Sequence, residues 1–276
     1  MQVTKEKLPM EFSLAPLTLH RPHPLEAIAA AGEAGYDLTG IQLALYGQPL
    51  SPLAREPEFL EAARRALTAA GLPVLEVSNV VLDEDFSLDD AAAIVAFAEG
   101  VGARFVQSVS WDPERGRAAA HLAAVAGLAA ERGLTVAFEF MPYSATRSLA
   151  EALALLEDSG APNVVLLLDS LHFFRSGGAV AELAAVPAAR LGILQLSDAR
   201  AEAPPFDALR AESTADRLVP GDGELPLAEM VEALPDGLPV SLEVPCRALE
   251  GLALADQARA VLEGSRRFFA SVAADS

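Results

Sequence analysis

Short apolar or β-branched runs alternate along this chain with segments that repeat their apolar positions at helical spacing and are rich in Ala, Leu, Glu and Arg. The runs predict eight strands, over residues 11–18, 37–43, 73–79, 104–108, 134–140, 164–169, 191–197 and 238–244. The intervening segments predict helices, the clearest over residues 25–34, 57–70, 88–99, 114–132, 148–159 and 254–271.

Several predicted helices end at a glycine, where a left-handed cap is favoured: Gly35, Gly71, Gly133 and Gly160. Strands and helices that alternate eight times in about 250 residues are typical of a (β/α)8 TIM barrel, an α/β fold. We therefore predict one barrel domain over residues 1–276, with residues 1–10 as an N-terminal extension. A doubly wound open sheet is the alternative, but no glycine fingerprint for a dinucleotide or phosphate follows the first strand.

Oxygen-bearing side chains stand at the carboxyl ends of four successive predicted strands. Side chains alternate along a strand, so the large apolar residues of each run define the face toward the helices. By this parity Glu139, Asp169, Gln195 and Glu243 point into the barrel near its C-terminal mouth, where barrel enzymes keep their chemistry. The alternative is that each of them only ends its strand and is hydrogen-bonded at the rim.

Three crowded carboxylates are unfavourable unless a positive charge neutralises them. Neither of the two lysines, Lys5 and Lys7, can do so from its place in the N-terminal segment. A divalent cation can, and an all-oxygen set without thiolate suits Mn²⁺ or Mg²⁺ best, with Co²⁺ and Zn²⁺ as alternatives. The sequence therefore predicts one divalent metal ion held by Glu139, Asp169, Gln195 and Glu243.

Composition excludes several other classes. With 39 acidic against 20 basic residues, the net charge of −19 disfavours nucleic acid and anionic membrane surfaces as partners. The scarcity of lysine argues against Schiff-base chemistry, and the single cysteine, Cys246, excludes an internal disulfide or a thiolate zinc cluster. No apolar run is long enough for a membrane span and the start lacks a signal peptide, so we expect a soluble cytoplasmic protein.

The segments that carry these residues resemble the xylose isomerase-like barrel superfamily, in particular its sugar phosphate isomerase/epimerase branch. They read FEFMP (138–142), LDSLHF (168–173), LQLSD (194–198), PGDGE (220–224) and SLEV (241–244), and AGEAGYD (31–37) is also similar to that branch. In the D-tagatose 3-epimerase type, Glu, Asp, His and Glu hold one metal, and a substrate-binding His follows the Asp. The resemblance implies Glu139, Asp169, Gln195 and Glu243 as ligands and His172 as the substrate-binding residue.

Gln195 departs from the epimerase His and is similar to hydroxypyruvate isomerase and inosose dehydratase, which leaves isomerisation and dehydration both open. The histidine-rich, DNA-binding endonucleases of the superfamily do not fit an acidic chain with only four histidines. Two-metal xylose isomerase would need a catalytic lysine that is not available. A phosphorylated substrate is also disfavoured, because the acids of PGDGE would repel phosphate.

Further candidates surround this set. Arg217 precedes the PGDGE turn, where the family places a substrate-binding Arg, although an exposed loop Arg is the alternative. His20 follows the first strand and could line the mouth, or could form a turn with nearby His23 and two prolines. Trp111, with Gln107, could form a wall of the pocket, and a stacked aromatic ring suits a sugar face. Glu76 and Asn79 end the third predicted strand, as ligands or as rim residues.

These residues predict an isomerase or epimerase of a ketose or related polyol ketone. The metal would polarise the carbonyl, and Glu139 and Glu243, both ligands and the acid/base pair, would form and discharge a metal-stabilised enediolate. Loss of a β-hydroxyl would instead give a dehydratase (lyase) of a cyclic ketopolyol such as an inosose or dehydroshikimate. A barrel that only binds a polyol is the non-catalytic alternative. The apolar last helix could mediate a homo-oligomer.

Overall fold

A closed barrel of eight parallel strands forms the centre of the molecule, as a computed structural model shows; it describes residues 10–19, 22–43 and 52–275. The strands pair in sequence order and β8 closes on β1, which confirms the single-domain TIM barrel and excludes the open sheet. They are β1 (Phe12–Leu14), β2 (Leu38–Gln42), β3 (Val74–Leu82), β4 (Phe105–Ser110), β5 (Thr135–Glu139), β6 (Val164–Asp169), β7 (Leu191–Leu196) and β8 (Val240–Leu242).

Ten α-helices lie among the described residues, two more than the alternation predicted. They are α1 (Pro24–Ala34), α2 (Pro57–Ala70), α3 (Leu88–Gly100), α4 (Arg115–Ala130), α5 (Leu149–Ser159), α6 (Ser170–Arg175), α7 (Val180–Leu183), α8 (Leu209–Ala215), α9 (Leu227–Ala233) and α10 (Leu254–Asp275). The extra helices are short and follow β6 and β7. The connections over the second half of the barrel mouth are therefore structured.

The helix ends follow the sequence signals closely. Gly35, Gly71 and Gly160 cap α1, α2 and α5 in the left-handed conformation, as predicted. Gly133 also has a positive φ of 69°, but α4 has ended three residues earlier, at Ala130. Across the part of the chain that is described, no helix is long and apolar enough to cross a membrane.

Two apolar clusters confirm the predicted alternation of side chains. The small one fills the barrel interior and contains Leu38, Leu75, Ala137, Leu167 and Ile193. The large one lies between the strands and the helices and includes Phe138, Leu168, Leu194 and Leu242, each next to an inward residue. Neighbouring positions in β5, β6, β7 and β8 therefore alternate between interior and helix layer, which directs the last inward residue of each strand to the mouth.

Three strand predictions need correction. The first and last strands are short, because their predicted ends form loops, while β3 runs three residues past the predicted end at Asn79 to Leu82. The pairing of β3 with β2 and with β4 shifts register partway along, so a simple alternation does not describe this strand. Of the predicted extension, residues 1–9 lie outside the described residues.

Candidate active site

The four predicted oxygen donors lie buried at the C-terminal end of neighbouring strands. Glu139 ends β5, Asp169 ends β6, Gln195 lies in β7 and Glu243 directly follows β8. Asp169 and Gln195 are register partners, and the Gln195 amide Nε2 donates to Glu243 Oε1 at 3.3 Å. Burial of all four argues against the alternative of rim residues that merely end their strands. The structure brings the four together; their roles stay predictions.

Arg217 lies among these carboxylates. Its Nη1 is 2.6 Å from Asp169 Oδ2 and its Nη2 is 2.8 Å from Glu243 Oε2. Nε donates to the backbone oxygen of Ser213 at 2.8 Å, and Nη1 also donates to Ser197 Oγ at 3.1 Å. The side chain is 1% exposed, so the alternative of an exposed loop Arg is wrong. Arg217 also corrects the prediction made from the crowded carboxylates, because a divalent metal ion is not the only group that can neutralise them.

The loop that carries Arg217 is tied to the end of β7 by Asp198. The backbones of Asp198 and Leu218 exchange two hydrogen bonds of 2.8 Å, immediately after Arg217. The Asp198 carboxylate also accepts from the N–H groups of Gly221, Gly223 and Leu225 at 3.0–3.1 Å. A Cβ on Gly223 would lie 2.3 Å from Asp198 Oδ1, so only glycine fits this approach. The PGDGE turn and the residue after it therefore direct these N–H groups to Asp198, at the end of β7.

His172 and Gln107 both contact Glu139. His172 Nε2 is 3.7 Å from Glu139 Oε1, and Gln107 Nε2 donates to Glu139 Oε2 at 2.7 Å. The backbone N–H of His172 donates to Asp169 Oδ1 at 2.8 Å, and this hydrogen bond fixes the first turn of α6 at the end of β6. Tyr143 packs edge-on against the His172 ring at 5.5 Å between centroids. The His172 ring is thus held between a carboxylate and an aromatic side chain.

Burial and neighbouring charges shift the pKa values of these groups in different directions. Burial, with Glu243 and Asp169 close by, raises the pKa of Glu139 well above its ordinary value. Burial also raises the pKa of Glu243 to about 7, although Arg217 opposes this. For Asp169, burial is outweighed by Arg217 and His172, so its pKa is lowered. Burial lowers the pKa of His172 to about 4. Asp169 therefore stays ionised near neutral pH, and His172 stays neutral.

The group of side chains that fits a single divalent cation combines two predicted ligands, Glu139 and Asp169, with His172, and it does not include Glu243. Glu139, Asp169 and His172 each offer a ligand atom, and these atoms lie within 4.8 Å of one another. Gln195 Oε1 is buried and has no hydrogen-bond partner within the described chain, as expected of a ligand awaiting an ion. A set of carboxylate, amide and imidazole donors suits Mn²⁺, Mg²⁺, Co²⁺ or Zn²⁺. The proximity of His172 to the carboxylates adds a nitrogen donor to the predicted oxygen set.

A cleft of about 350 Å³, counting its open mouth, lies above these residues. One wall carries the charged and aromatic side chains of Glu139, Tyr143, His172, Arg217 and Glu243. The other carries no charge among the described residues, and it consists of Pro16, Leu17, Gln42, Ser78, Asn79 and Gln107. We call these the charged wall and the neutral wall. The two walls arise from different halves of the barrel, β5–β8 and β1–β4.

The remaining candidates lie in different places. Trp111 is not among the described residues that line the cleft, but it packs on Tyr143 at 6.1 Å and under the Arg210 guanidinium at 5.8 Å. Its substrate-binding role stays a prediction. His20 lies outside the described residues, whereas His23 caps α1, with Nδ1 accepting from Leu25 N.

Glu76 and Asn79 do not end β3 but lie within it, and both are buried. Sequence reasoning missed Tyr143 and Asp198. Tyr143 follows the predicted β5 motif by one residue and could have been found as an aromatic next to the mouth. Asp198 had no signal beyond its position before a glycine-rich turn, because its partners lie 23–27 residues further along the chain.

Comparison with known proteins agrees with the barrel fold. The sequence profile of the xylose isomerase-like TIM barrel family matches residues 27–269. None of the curated proteins matches the chain. Among the solved structures, a xylose isomerase-like TIM barrel/4-hydroxyphenylpyruvate dioxygenase fusion protein matches with 19% identity and a TM-score of 0.76. The match covers 93% of this chain, which spans 42% of the fusion protein.

Three other solved structures are similar over nearly their whole length. The IolI protein with a bound zinc atom has 18% identity and a TM-score of 0.78, with 95% of this chain and 98% of that chain covered. The probable 3-DHS dehydratase AsbF from Bacillus anthracis has 16% identity and a TM-score of 0.73, with 92% and 99% covered. D-allulose 3-epimerase from Methylomonas sp. in complex with D-allulose has 17% identity and a TM-score of 0.69, with 94% and 96% covered.

These identities are low, so the solved structures show a shared fold and nothing finer. The profile match is different in kind, because it extends from the first helix into the last. It also includes all four buried oxygen donors, Arg217 and His172. The chain therefore belongs to the xylose isomerase-like TIM barrel family.

Proposed function

We propose that this protein is a metal-dependent isomerase or epimerase of a ketose or related polyol ketone. One observation carries the proposal. Glu139 and Glu243, from β5 and from the end of β8, are two buried carboxyls that line one cleft, and in the metal-free protein burial raises the pKa of both. Groups that hold or release a proton near neutral pH are suited to acid/base work. Membership in a family with sugar epimerases among its structural relatives supports the same conclusion.

Glu139, Asp169, Gln195 and Glu243 would hold the ion, with the His172 ring close enough to contribute. A divalent ion bound there supplies Lewis-acid polarisation of a substrate carbonyl, which acidifies the adjacent C–H. The lowered pKa of Asp169 keeps one full negative charge at the site. Arg217 fixes Asp169 and Glu243 relative to each other through its two ion pairs. The zinc in IolI supports a metal in this fold.

The two glutamates divide the proton transfer. One carboxylate removes the proton from the carbon next to the carbonyl, which leaves an enediolate on the substrate. The other, in its protonated form, returns a proton to the opposite face of the same carbon, which gives epimerisation. Return of the proton to the former carbonyl carbon gives isomerisation, once the hydroxyl proton has moved from one enediolate oxygen to the other. Neutral His172 donates a hydrogen bond to a substrate oxygen, and Arg217 holds a second oxygen. The neutral wall accepts the rest of the polyol.

Dehydration is the second candidate. A protonated carboxyl with a pKa of about 7, as at Glu243, can also protonate a departing β-hydroxyl. The likeness to the probable 3-DHS dehydratase supports this candidate, and so does Gln195 in place of a ligand His. In that case a cyclic ketopolyol would lose water and give a conjugated enone. A cytoplasmic location and assembly into a homo-oligomer remain further predictions.

Exchange of C–H for C–D in D₂O tests the proposal, because proton abstraction is common to every product. The protein is stripped with a chelator, reloaded with Mn²⁺, Mg²⁺, Co²⁺ or Zn²⁺, and incubated with a panel of ketoses and cyclic ketopolyols. We expect one ion bound per chain, exchange only in the reloaded protein, and a ketose product detected by NMR. Growth of enone absorbance would move the assignment to the dehydratase. A protein that binds a polyol but never exchanges its C–H would be a binding barrel.

A further inference from the structure

The neutral wall contains a hydrogen-bonding atom that no part of the described chain satisfies. Asn79 in β3 is 4% exposed, lines the cleft, and its Oδ1 has no hydrogen-bond partner. Buried polar atoms are almost always paired, so an unpaired one on a residue that lines a cleft indicates a missing partner. Water or a bound molecule can supply that partner, and the position of Asn79 opposite the charged wall favours the molecule that reacts there.

The backbone that carries Asn79 is held in place. The residues on either side of it are fixed by neighbouring strands. Ser78 O accepts from the N–H of Leu43 at 2.7 Å, and Val80 O accepts from Ser108 Oγ at 3.0 Å. Val80 is also in register with Ser108 on β4. The backbone around Asn79 is therefore held on both sides, and its side chain is presented to the cleft by a rigid strand.

The chemistry of this atom restricts what it binds. A carbonyl oxygen accepts a hydrogen bond, so its partner must offer a donor. Ionised carboxylates and phosphates are acceptors only, and the described part of the neutral wall has no cation to hold them. The Ser78 and Gln42 side chains beside Asn79 are uncharged as well. A hydroxyl group of a neutral polyol fits these requirements.

The placement of β3 in the barrel sets where this hydroxyl lies. Two steps across the sheet, β3 to β4 and β4 to β5, separate Asn79 from Glu139. Parallel strands lie about 4.8 Å apart, so the two strands are roughly 10 Å apart along the sheet. Between them Gln107 on β4 lines the cleft and holds Glu139. A ligand that reaches both sites must extend along this wall.

We propose that Asn79 is a specificity-determining residue whose Oδ1 accepts a hydrogen bond from a polyol hydroxyl remote from the reacting carbon. The proposal rests on the proposed function and adds the direction in which the substrate lies. Its reacting end meets Glu139 and Glu243, and its hydroxylated tail extends toward β3. The enzyme would then distinguish ketoses by the presence of one hydroxyl on that tail.

Substitution of Asn79 by leucine, which has a similar shape but no acceptor, tests this pairing. The substrate is the ketohexose that the wild-type protein exchanges fastest, compared with its set of monodeoxy analogues. We expect Asn79→Leu to lower kcat/KM for the full ketose about 10- to 100-fold, mainly through KM. For the one analogue that lacks the paired hydroxyl, wild type and variant should differ little. An equal loss for every analogue, or no loss at all, would overturn the proposal.

Asn163→Leu is the matched control, because the chain's other asparagine lies at the opposite end of β5 and β6. Its Nδ2 is fully engaged with the backbone oxygens of Ala126 and Leu134. This variant should lose stability without changing the order of preference among the ketoses.

A second measurement separates the two proposals. If the wild-type protein exchanges no ketose, the proposed function fails, and titration calorimetry with the corresponding hexitols decides the role of Asn79. Tighter binding of one hexitol by wild type than by Asn79→Leu would support the pairing. Equal affinities, or no binding by either protein, would contradict it.

Discussion

The two halves of the barrel mouth face the same cleft with opposite chemistry. Every acidic or basic side chain that the described residues contribute to the cleft comes from the β5–β8 half: Glu139, His172, Arg217 and Glu243. The β1–β4 half contributes amides, a hydroxyl and two apolar residues. In a symmetric barrel each strand end is equivalent, so the asymmetry comes from the sequence and not from the fold. In the proposed function, it would separate the place of reaction from the place of substrate recognition.

Two carboxyls show what this difference does to acidity. Asp169 in the charged half lies 2.6 Å from Arg217, and its pKa is lowered despite complete burial. Glu76 in β3 is equally buried, but its side-chain partner is the uncharged Ser241 Oγ, at 2.8 Å, and burial raises its pKa to about 8. Gly40 leaves room for it, since a Cβ there would lie 2.8 Å from Glu76 Oε1. The Arg217 guanidinium thus outweighs burial at Asp169, although it does not at Glu243, whose pKa is still raised.

The largest effect should follow the loss of an acid/base carboxyl. Glu243→Gln keeps the shape of the side chain but cannot take up or release a proton. We expect the rate of C–D exchange to fall by roughly two to four orders of magnitude, the range of general acid–base catalysis. The melting temperature should change little, since Arg217 can still donate to the amide oxygen.

Glu76→Gln is the matched control for that substitution, because it changes a buried carboxyl of the other half. It should keep most of the exchange activity. Full activity in Glu243→Gln, or equal losses in the two variants, would remove Glu243 from the acid/base role and with it the functional contrast between the halves.

Removal of the Arg217 guanidinium should have the next largest effect. Arg217→Met leaves Asp169 and Glu243 buried without their ion pairs, and breaking such a pair costs about 3–5 kcal/mol. Chemical denaturation of the metal-free protein would show this as a lower free energy of unfolding. Arg247→Met breaks an exposed pair with Asp216 near the same loop, so its loss should be much smaller. Similar losses in both variants would mean that Arg217 does not organise the charged half.

The charged half was largely predictable from the sequence. Its strands are regular, so parity directed Glu139, Asp169, Gln195 and Glu243 to the barrel interior, and the apolar clusters confirm that alternation. Periodicity also predicted the barrel and most helix ends. Arg217 was recognised only as a candidate for substrate binding. Its central place depends on a loop that Asp198 folds back, and that contact joins residues far apart in the chain.

The neutral half was less predictable, for two physical reasons. The pairing of β3 shifts register with both of its neighbours, so its end was predicted three residues too early and alternation could not assign its inward residues. Amide and hydroxyl side chains also give little indication of a functional site in a sequence, because residues such as Gln42 or Asn79 could equally be rim residues that only end a strand. Only the three-dimensional structure shows that Asn79 is buried without a partner.

Per pH unit, the smallest effect should appear in the pH dependence of stability. The pKa of Glu76 is about 8 in the folded protein against an ordinary value of 4.5, so between these values the folded state holds a proton that the unfolded state releases. The free energy of unfolding should therefore fall as pH rises, by at most about 1.4 kcal/mol per pH unit. Glu76→Gln removes this dependence, so its advantage over wild type should grow from pH 5 to pH 8 and then level off.

Urea denaturation at a series of pH values measures this difference between Glu76→Gln and wild type. Glu33→Gln, on the exposed face of α1, removes one negative charge without changing a buried group and serves as the control. A pH-independent difference for Glu76→Gln would mean that the carboxyl is ionised in the folded protein. The neutral half would then contain a buried charge, and the contrast between the two halves would rest on the cleft lining alone.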